Sequence, residues 1–263
     1  MLKKLKKLDS ILLEMNSFVV AFSGGVDSTF LVYRASLLKK IRFSAVTVTT
    51  PYIPAHEIAE AVEFCSSAGI EHNLIDVAFP DMIKNNPVER CYLCKKELFT
   101  HITDFATGNN FRFIADGTNH DDSSDFRPGI QALKEMSVRS PLLEAGMSKQ
   151  EIRDASAEAG LNTWDKPSNA CLLTRIPYDT MVTEKDLRKI EQAEQYLFEK
   201  GFYGTRVRIH GDIARIECMP GYLSRIVNDP EREHLIDHLK KIGFRFISLD
   251  LEGYRTGSMN PDN

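Results

Sequence analysis

The stretch Ser17-Phe18-Val19-Val20-Ala21-Phe22-Ser23-Gly24-Gly25-Val26-Asp27-Ser28 holds the transition that decides the fold. Its first half is a mainly apolar run of strand length, the pattern of a strand buried on both faces. Two glycines then let the backbone turn tightly and approach a ligand closely. A helix is expected directly afterwards, from about Thr29 to Lys40. A strand that passes through Ser-Gly-Gly into a helix makes an anion cradle. The helix points its positive end at the loop, and Ser23 and Ser28 add hydroxyl donors.

On either side the same alternation continues. Phe43 to Val48, Asn73 to Val77 and Phe111 to Asp116 read as further strands, with a helix from about Ala55 to Ala68. Strands separated by helices imply right-handed crossovers and a parallel sheet covered on both faces. The first part of the chain is therefore expected to be an α/β doubly wound parallel sheet, with ligands beyond the carboxyl ends of its strands. After Pro177 the pattern changes. A helix from about Thr183 to Lys200 stops at Gly201. Thr205 to His210 and Ile213 to Glu217 then flank Gly211-Asp212, alternating apolar with charged residues as in a hairpin with one wet face. A helix from about Glu231 to Lys241 and a strand from Phe244 to Leu249 complete a smaller α+β unit. The expected domains are 1–178 and 179–263.

The composition is that of an ordinary globular protein, with 263 residues, 43% hydrophobic and 27% charged. A net charge of −4 argues against a strongly basic nucleic-acid binder, although a local basic face can sit in an acidic total. No apolar run approaches the roughly 20 residues that span a bilayer. Leucines recur every three residues through the basic start of the chain, Met1 to Leu8, and the pattern continues to Ile11 and Leu12, as in an amphipathic helix laid on the domain. Neither a signal-peptide apolar core nor a cleavage site follows, so a cytoplasmic protein is expected. Five cysteines, an odd count, are then expected as thiols. Cys65, on an expected helix, and Cys218, after the alternating segment, read as small core residues.

The loop itself is neither a Rossmann fingerprint nor a Walker loop, which needs Gly-Lys-Ser or Gly-Lys-Thr. Asp27 beside a phosphate would be repulsive alone; a magnesium ion resolves this by accepting carboxylate and phosphate oxygens together. Ala21 to Ser28 resembles the PP-loop of the N-type ATP pyrophosphatases. The resemblance implies ATP held by Ser23, Gly24, Gly25, Asp27 and Ser28, cleavage to AMP and pyrophosphate, and transfer of AMP to a substrate oxygen. A second stretch, Asp116-Gly117-Thr118-Asn119-His120-Asp121-Asp122-Ser123-Ser124-Asp125-Phe126-Arg127-Pro128-Gly129, ends another strand. Alone it reads as a solvated acidic loop. Beside a PP-loop it is a candidate site for substrate and magnesium, with Gly117 near the nucleotide and Arg127 available to a phosphate or carboxylate.

Lys166 to Tyr178, Arg206-Val207-Arg208, Asp212 to Glu217 and Leu249 to Asn260 resemble the LarE family, and the resemblance covers nearly the whole chain. LarE-family proteins act in making the nickel-pincer cofactor of lactate racemase and related enzymes. They adenylate a carboxylate of pyridinium-3,5-biscarboxylic acid mononucleotide and convert it to a thiocarboxylate. The resemblance implies that Arg206 and Arg208 bind substrate phosphate, that Arg175 is a further substrate contact, and that Glu194 and Glu217 sit near a metal or the substrate. Two arginines two residues apart share a strand face, which suits a phosphate clamp.

Arg90-Cys91-Tyr92-Leu93-Cys94-Lys95-Lys96 adds a Cys-x-x-Cys. By itself this is compatible with a redox pair, half of a zinc site, or two helix residues on adjacent turns. Three thiolates leave one iron of a cluster without a cysteine, which suits an iron that must hold exogenous sulfide. Family members with this pair plus a third cysteine resemble 4Fe–4S-dependent enzymes, so the resemblance assigns Cys91, Cys94 and Cys171 as cluster ligands. In another branch a single cysteine in the loop matching the Cys171 segment gives up its own sulfur; by register, Ala170 rather than Cys171 matches that position, which disfavours the sacrificial route here. Lys95 and Lys96 read either as solvated helix lysines or as charges that ease an incoming anion. The rival readings are a cluster-dependent tRNA thiolase, an ammonia-using amide synthetase and a non-catalytic nucleotide sensor. The implied partners are ATP, magnesium, the mononucleotide, a sulfide donor and further copies of the chain.

Overall fold

The structure is a computed structural model. It describes all residues except 125–127, 168–169, 229, 256 and 260–263, and the side chains at 123, 124 and 128 are likewise not described. The chain forms two compact units, the first made of residues 1–80 and 89–169, the second of 81–88 and 170–263. The expected break at 178 thus stands nine residues beyond the one observed. The reason lies in a short 3-10 turn, Leu172–Arg175, whose Leu172, Leu173 and Arg175 are buried in the second unit. Asn86, fully buried, donates to the carbonyl oxygens of Leu173 and Ile176 and so ties residues 81–88 to the same unit.

In the first unit, α1 (Leu2–Met15) is followed by β1 (Ser17–Ala21), α2 (Val26–Ser36), β2 (Arg42–Thr49), α3 (Ala55–Ser67) and β3 (His72–Asp76). Then come α4 (Arg90–Gly108), β4 (Phe113–Ala115), α5 (Pro128–Glu135), α6 (Pro141–Ala145) and α7 (Lys149–Glu158). The four strands pair in parallel in the order β3-β2-β1-β4. β1 is central and buried on both faces. Phe18 and Val20 enter one core with residues of α1, α2, α3, α6 and α7, and Val19 enters a second core with residues of α4. This is an α/β sheet with helices on both faces, as the alternation predicts. The chain runs from β1 to β2 to β3 on one side and places β4 on the other. The crevice beyond the carboxyl ends of β1 and β4 is therefore a topological switch point.

Leu8, Leu12 and Met15 of α1 are fully buried, so the amphipathic face lies on the domain, while Lys4 pairs with Glu151 of α7 at 2.6 Å. No helix among the described residues is long and apolar enough to cross a membrane. β4 is shorter than the expected Phe111 to Asp116. Phe111 turns into the second core, and Asp116 leaves the ladder to accept from Ser140 Oγ at 2.6 Å.

In the second unit, α8 (Glu184–Glu199) precedes β5 (Arg206–His210) and β6 (Ile213–Glu217), and α9 (Leu223–Asn228) and α10 (Arg232–Ile242) precede β7 (Phe246–Leu249). The sheet order is β5-β6-β7, antiparallel then parallel. The hairpin forms in the expected register, but the expected wet face is not wet. Arg208 is 5% exposed and Glu217 is fully buried. That face is closed by the Leu172–Arg175 turn, where Arg208 Nη1 donates to the Thr174 carbonyl at 2.8 Å.

Candidate functional site

The loop after β1 is built by close approach. Gly24 has φ +68°, and a Cβ there would lie 3.2 Å from the Ala61 Cβ on α3. Only glycine takes this bend against a packed helix at little cost. Gly25 is extended and opens α2, which begins three residues earlier than the periodicity suggested. The Ser23 and Ser28 hydroxyls lie 3.1 Å apart, and Ser28 Oγ accepts from the Ser23 backbone N–H and donates to the Gly25 carbonyl. The loop is thus held in a cradle before any ligand arrives. The β4 loop backs it: a Cβ on Gly117 would meet the Ser28 nitrogen at 3.0 Å and the Asp27 Cβ at 3.3 Å. The two stretches singled out in the sequence therefore meet at the switch point, in the part of the second stretch that is described. Arg127 lies outside the described residues.

Asp27 sits in the first turn of α2 and is held by Lys149, whose Nζ is 2.6 Å from Oδ2. Burial raises the Asp27 pKa above its ordinary value, Lys149 opposes the shift, and the nearby Asp122 carboxylate adds to it. The other oxygen, Oδ1, is buried and accepts no hydrogen bond among the described residues. A buried carboxylate oxygen with a spare lone pair, facing a second carboxylate, suits a divalent cation. The donor chemistry of Asp27 therefore fits magnesium.

Sequence reasoning missed three residues here. Lys149 is the first residue of α7, capped by Ser148 and Glu151 in a reciprocal box, and its backbone N–H donates to Asp121. The capping box was legible as Ser-x-x-Glu, which marks a helix start; nothing local says where that helix points. Lys166 Nζ donates to the Gly24 carbonyl at 3.1 Å and pairs with Glu60. The Tyr52 hydroxyl lies 3.2 Å from Cys94 Sγ.

Cys91 and Cys94 stand at the start of α4, three residues apart and hence on neighbouring turns. The five cysteines, none in a disulfide, divide by exposure. Cys91 is exposed and Cys94 and Cys171 half-buried, whereas Cys65 and Cys218 are fully buried. Burial pushes the Cys65 thiol up to about 11 and raises Cys218 as well, in keeping with inert core residues. Lys96 pairs with Glu135 of α5 at 2.8 Å, and the Lys95 stem lies over Gly129.

The second unit carries the remaining candidates in one buried network. Arg175, 2% exposed, makes a two-pronged pair with Glu194 at 2.9 Å on both arms. Its Nη1 also donates to the carbonyl oxygens of Ala170 and Cys171 at 2.7 and 3.2 Å. Arg175 thereby braces the backbone that carries Cys171. Glu194 accepts in addition from the Val207 backbone N–H of β5. Arg206 Nη1 lies 3.9 Å from Glu194, and burial pushes its guanidinium below the ordinary value against the pull of that carboxylate. Glu217 accepts from Arg208, Arg215 and Ser258. Glu194 and Glu217 are ion-pair partners of arginines. Among the described residues, no group of three or more His, Cys, Asp or Glu side chains is arranged to hold a metal ion.

No protein-family model matches the chain. It is 37% identical to an uncharacterised protein of Synechocystis sp. over 98% of its own length and 97% of the relative's. An uncharacterised protein of Methanocaldococcus jannaschii is 35% identical over 97% and 98%. A third relative, the pyridinium-3,5-bisthiocarboxylic acid mononucleotide synthase of Lactiplantibacillus plantarum, is 33% identical over 96% of this chain and 92% of its own. Agreement at that level, end to end, with a named LarE protein means that this chain belongs to the LarE family.

Proposed function

We propose that this protein is an ATP-dependent sulfur transferase that adenylates a carboxylate of pyridinium-3,5-biscarboxylic acid mononucleotide and converts it to a thiocarboxylate. The near full-length relationship to a synthase of the bisthiocarboxylic mononucleotide supports the substrate and product classes. The preformed cradle at the switch point, with a buried carboxylate and a lysine beside it, carries the nucleotide reading.

ATP occupies the Ser23–Ser28 cradle, whose backbone N–H groups, hydroxyls and helix end face the phosphates. Magnesium held by Asp27 supplies Lewis-acid neutralisation of the phosphate oxygens when bound. Lys149, released from Asp27, turns its ammonium to the departing pyrophosphate. The substrate carboxylate oxygen bonds to the α-phosphorus and the bond to pyrophosphate breaks, leaving an acyl-adenylate. Sulfide then bonds to the acyl carbon, AMP leaves with the oxygen, and the thiocarboxylate remains. By the family resemblance Cys91, Cys94 and Cys171 would be the ligands of a 4Fe–4S cluster, which would supply the transferable sulfide. In the second unit Arg206 and Arg208 receive the substrate phosphate, and Arg175 holds the Cys171 backbone in place. Rearrangement of their carboxylate partners accompanies that binding.

The test is pyrophosphate release by anaerobically reconstituted protein with ATP, magnesium and the mononucleotide, with mass analysis of the product. Release that depends on the mononucleotide, with one oxygen replaced by sulfur, is the expected result. Release with tRNA instead, or none with either, overturns the reading. Iron and acid-labile sulfide of about four each per chain, lost in Cys91→Ala, identify the carrier. No iron, with Cys171 losing the elements of hydrogen sulfide, moves the sulfur source to the cysteine itself.

A further inference from the structure

Phe22 is the last residue before the cradle and is buried. Its backbone is held from both sides by β2. The N–H donates to the Val46 carbonyl at 2.8 Å, and the carbonyl accepts from the Thr47 hydroxyl at 2.7 Å. Thr47 is buried as well, and its Oγ1 lies 2.8 Å from Nε2 of His72, the first residue of the edge strand β3. A hydroxyl has one proton to give. Thr47 gives it to the Phe22 carbonyl, which cannot donate, so its oxygen can only accept from His72. Burial lowers the His72 pKa, which leaves a neutral ring at neutral pH, and its single N–H is then on Nε2. The same order continues into the loop. The Phe22–Ser23 peptide is trans and planar, so its oxygen and its N–H point to opposite sides. With the oxygen fixed on Thr47, the Ser23 N–H is aimed at Ser28 Oγ, 3.3 Å away. Ser28 Oγ in turn donates to the Gly25 carbonyl at 3.2 Å. Every hydrogen bond from His72 to Gly25 runs the same way.

We propose that Thr47 and His72 are positioning residues for the nucleotide cradle. A directional hydrogen-bond chain from the His72 Nε2–H fixes the Phe22–Ser23 peptide and, through it, the Ser28 hydroxyl. The inference rests on the reading of Ser23–Ser28 as the ATP site. Gly24 and Gly25 make the bend possible, but glycine also lowers the cost of turning a peptide, so the loop alone does not choose one orientation. The chain chooses it from outside, starting at the edge of the sheet. Each donor polarises the next, and with Thr47 and Phe22 buried the bonds strengthen one another away from water. The Phe22 ring, edge-on to the imidazole with centroids 5.7 Å apart, keeps His72 in line. Both residues act through the Phe22 carbonyl and not on the nucleotide itself.

Two measurements test this on the full chain. Long-range proton–nitrogen NMR spectra of isotope-labelled histidines show which ring nitrogen carries the proton, with His72 assigned by its loss in His72→Phe. Calorimetric titration with magnesium and a non-hydrolysable ATP analogue reads the cradle. We expect the Nε2–H tautomer at a pH above the titration of the ring. Thr47→Val keeps the shape and removes the hydroxyl, and it should bind the analogue about tenfold more weakly, as for loss of one bond in a coupled set. Thr47→Ser keeps the hydroxyl and should bind as wild type does. A hydroxyl that served stability alone would lower the urea midpoint of Thr47→Val and leave the affinity of the folded variant unchanged; that result overturns the proposal. An Nδ1–H tautomer overturns it too. Because the tautomer is read on wild type, it decides the matter even where Thr47→Val is too unstable to titrate. If wild type binds no analogue, the nucleotide reading has fallen and this inference falls with it. Binding by wild type with an unaffected Thr47→Val removes this inference alone.

Discussion

Lys149 Nζ sits 2.6 Å from Asp27 Oδ2, although the two residues are 122 positions apart. A lysine on the first turn of α7 thus occupies the charge position that a phosphate-bound cation would take beside the cradle. The pairing keeps a buried carboxylate tolerable.

Replacing Asp27 should separate stability from activity. Burial raises its pKa above 3.8 in the folded chain, so the folded state holds this proton more tightly than the unfolded state. The ionised form therefore costs stability above the folded pKa, and the cost disappears as pH falls toward 3.8. Asp27→Asn should be at least as resistant to urea as wild type at neutral pH, with the difference closing in acid. Its pyrophosphate release should drop on the order of 10²–10³-fold, as when other preorganised charge-stabilising groups are lost. A variant less stable than wild type at neutral pH would mean that attraction to Lys149 outweighs desolvation.

Gly117→Ala tests whether the β4 loop supports the cradle. The added methyl would stand 3.0 Å from the Ser28 nitrogen, a backbone atom that cannot swing aside. Overpacking of this kind costs about 1–3 kcal/mol, and the strain falls on the Ser23–Ser28 hydroxyl contacts. Calorimetric titration with a non-hydrolysable ATP analogue should show affinity weakened about tenfold, equivalent to ~1.4 kcal/mol. Unchanged affinity would place the nucleotide elsewhere.

Thiol labelling should divide the cysteines three to two. Cys91, Cys94 and Cys171 are accessible, while Cys65 and Cys218 are fully buried, with Cys65 pushed up to about 11. In metal-free protein at mildly alkaline pH, alkylation read by peptide mass spectrometry should modify the first three and spare the other two until denaturant is added. Native-state labelling of Cys65 would show that the core around α3 opens.

Glu217 is fully buried and takes hydrogen bonds from Arg208 and Arg215. Removing its charge leaves Arg208 without its carboxylate partner and Arg215 with Asp250 alone, at 3.6 Å. Glu217→Gln should cost about 3–5 kcal/mol in urea unfolding, the range for breaking a buried pair from one side. The double variant Arg208→Met with Glu217→Leu should recover part of that loss, because removing both charges also removes their desolvation.

The sequence alone was enough for whatever rests on local periodicity and local backbone chemistry. The apolar run of β1, the Ser-Gly-Gly turn, the following helix and the β5–β6 hairpin were all legible, since each is encoded within about ten consecutive residues. So was the placement of Cys65 and Cys218 in the interior. Tertiary structure decided which distant groups meet. Lys149 reaches Asp27, Lys166 reaches the Gly24 carbonyl 142 positions away, and Tyr52 reaches Cys94 across 42. No periodicity carries that information, because it depends on how the α7 and α4 helices pack around the sheet. The same reason explains the hairpin face that was expected to be wet. Alternation of charged and apolar residues shows that Arg208 and Glu217 lie opposite the apolar side. Only the turn at Leu172–Arg175, folded over that face, makes them a buried ion pair in place of a solvated one.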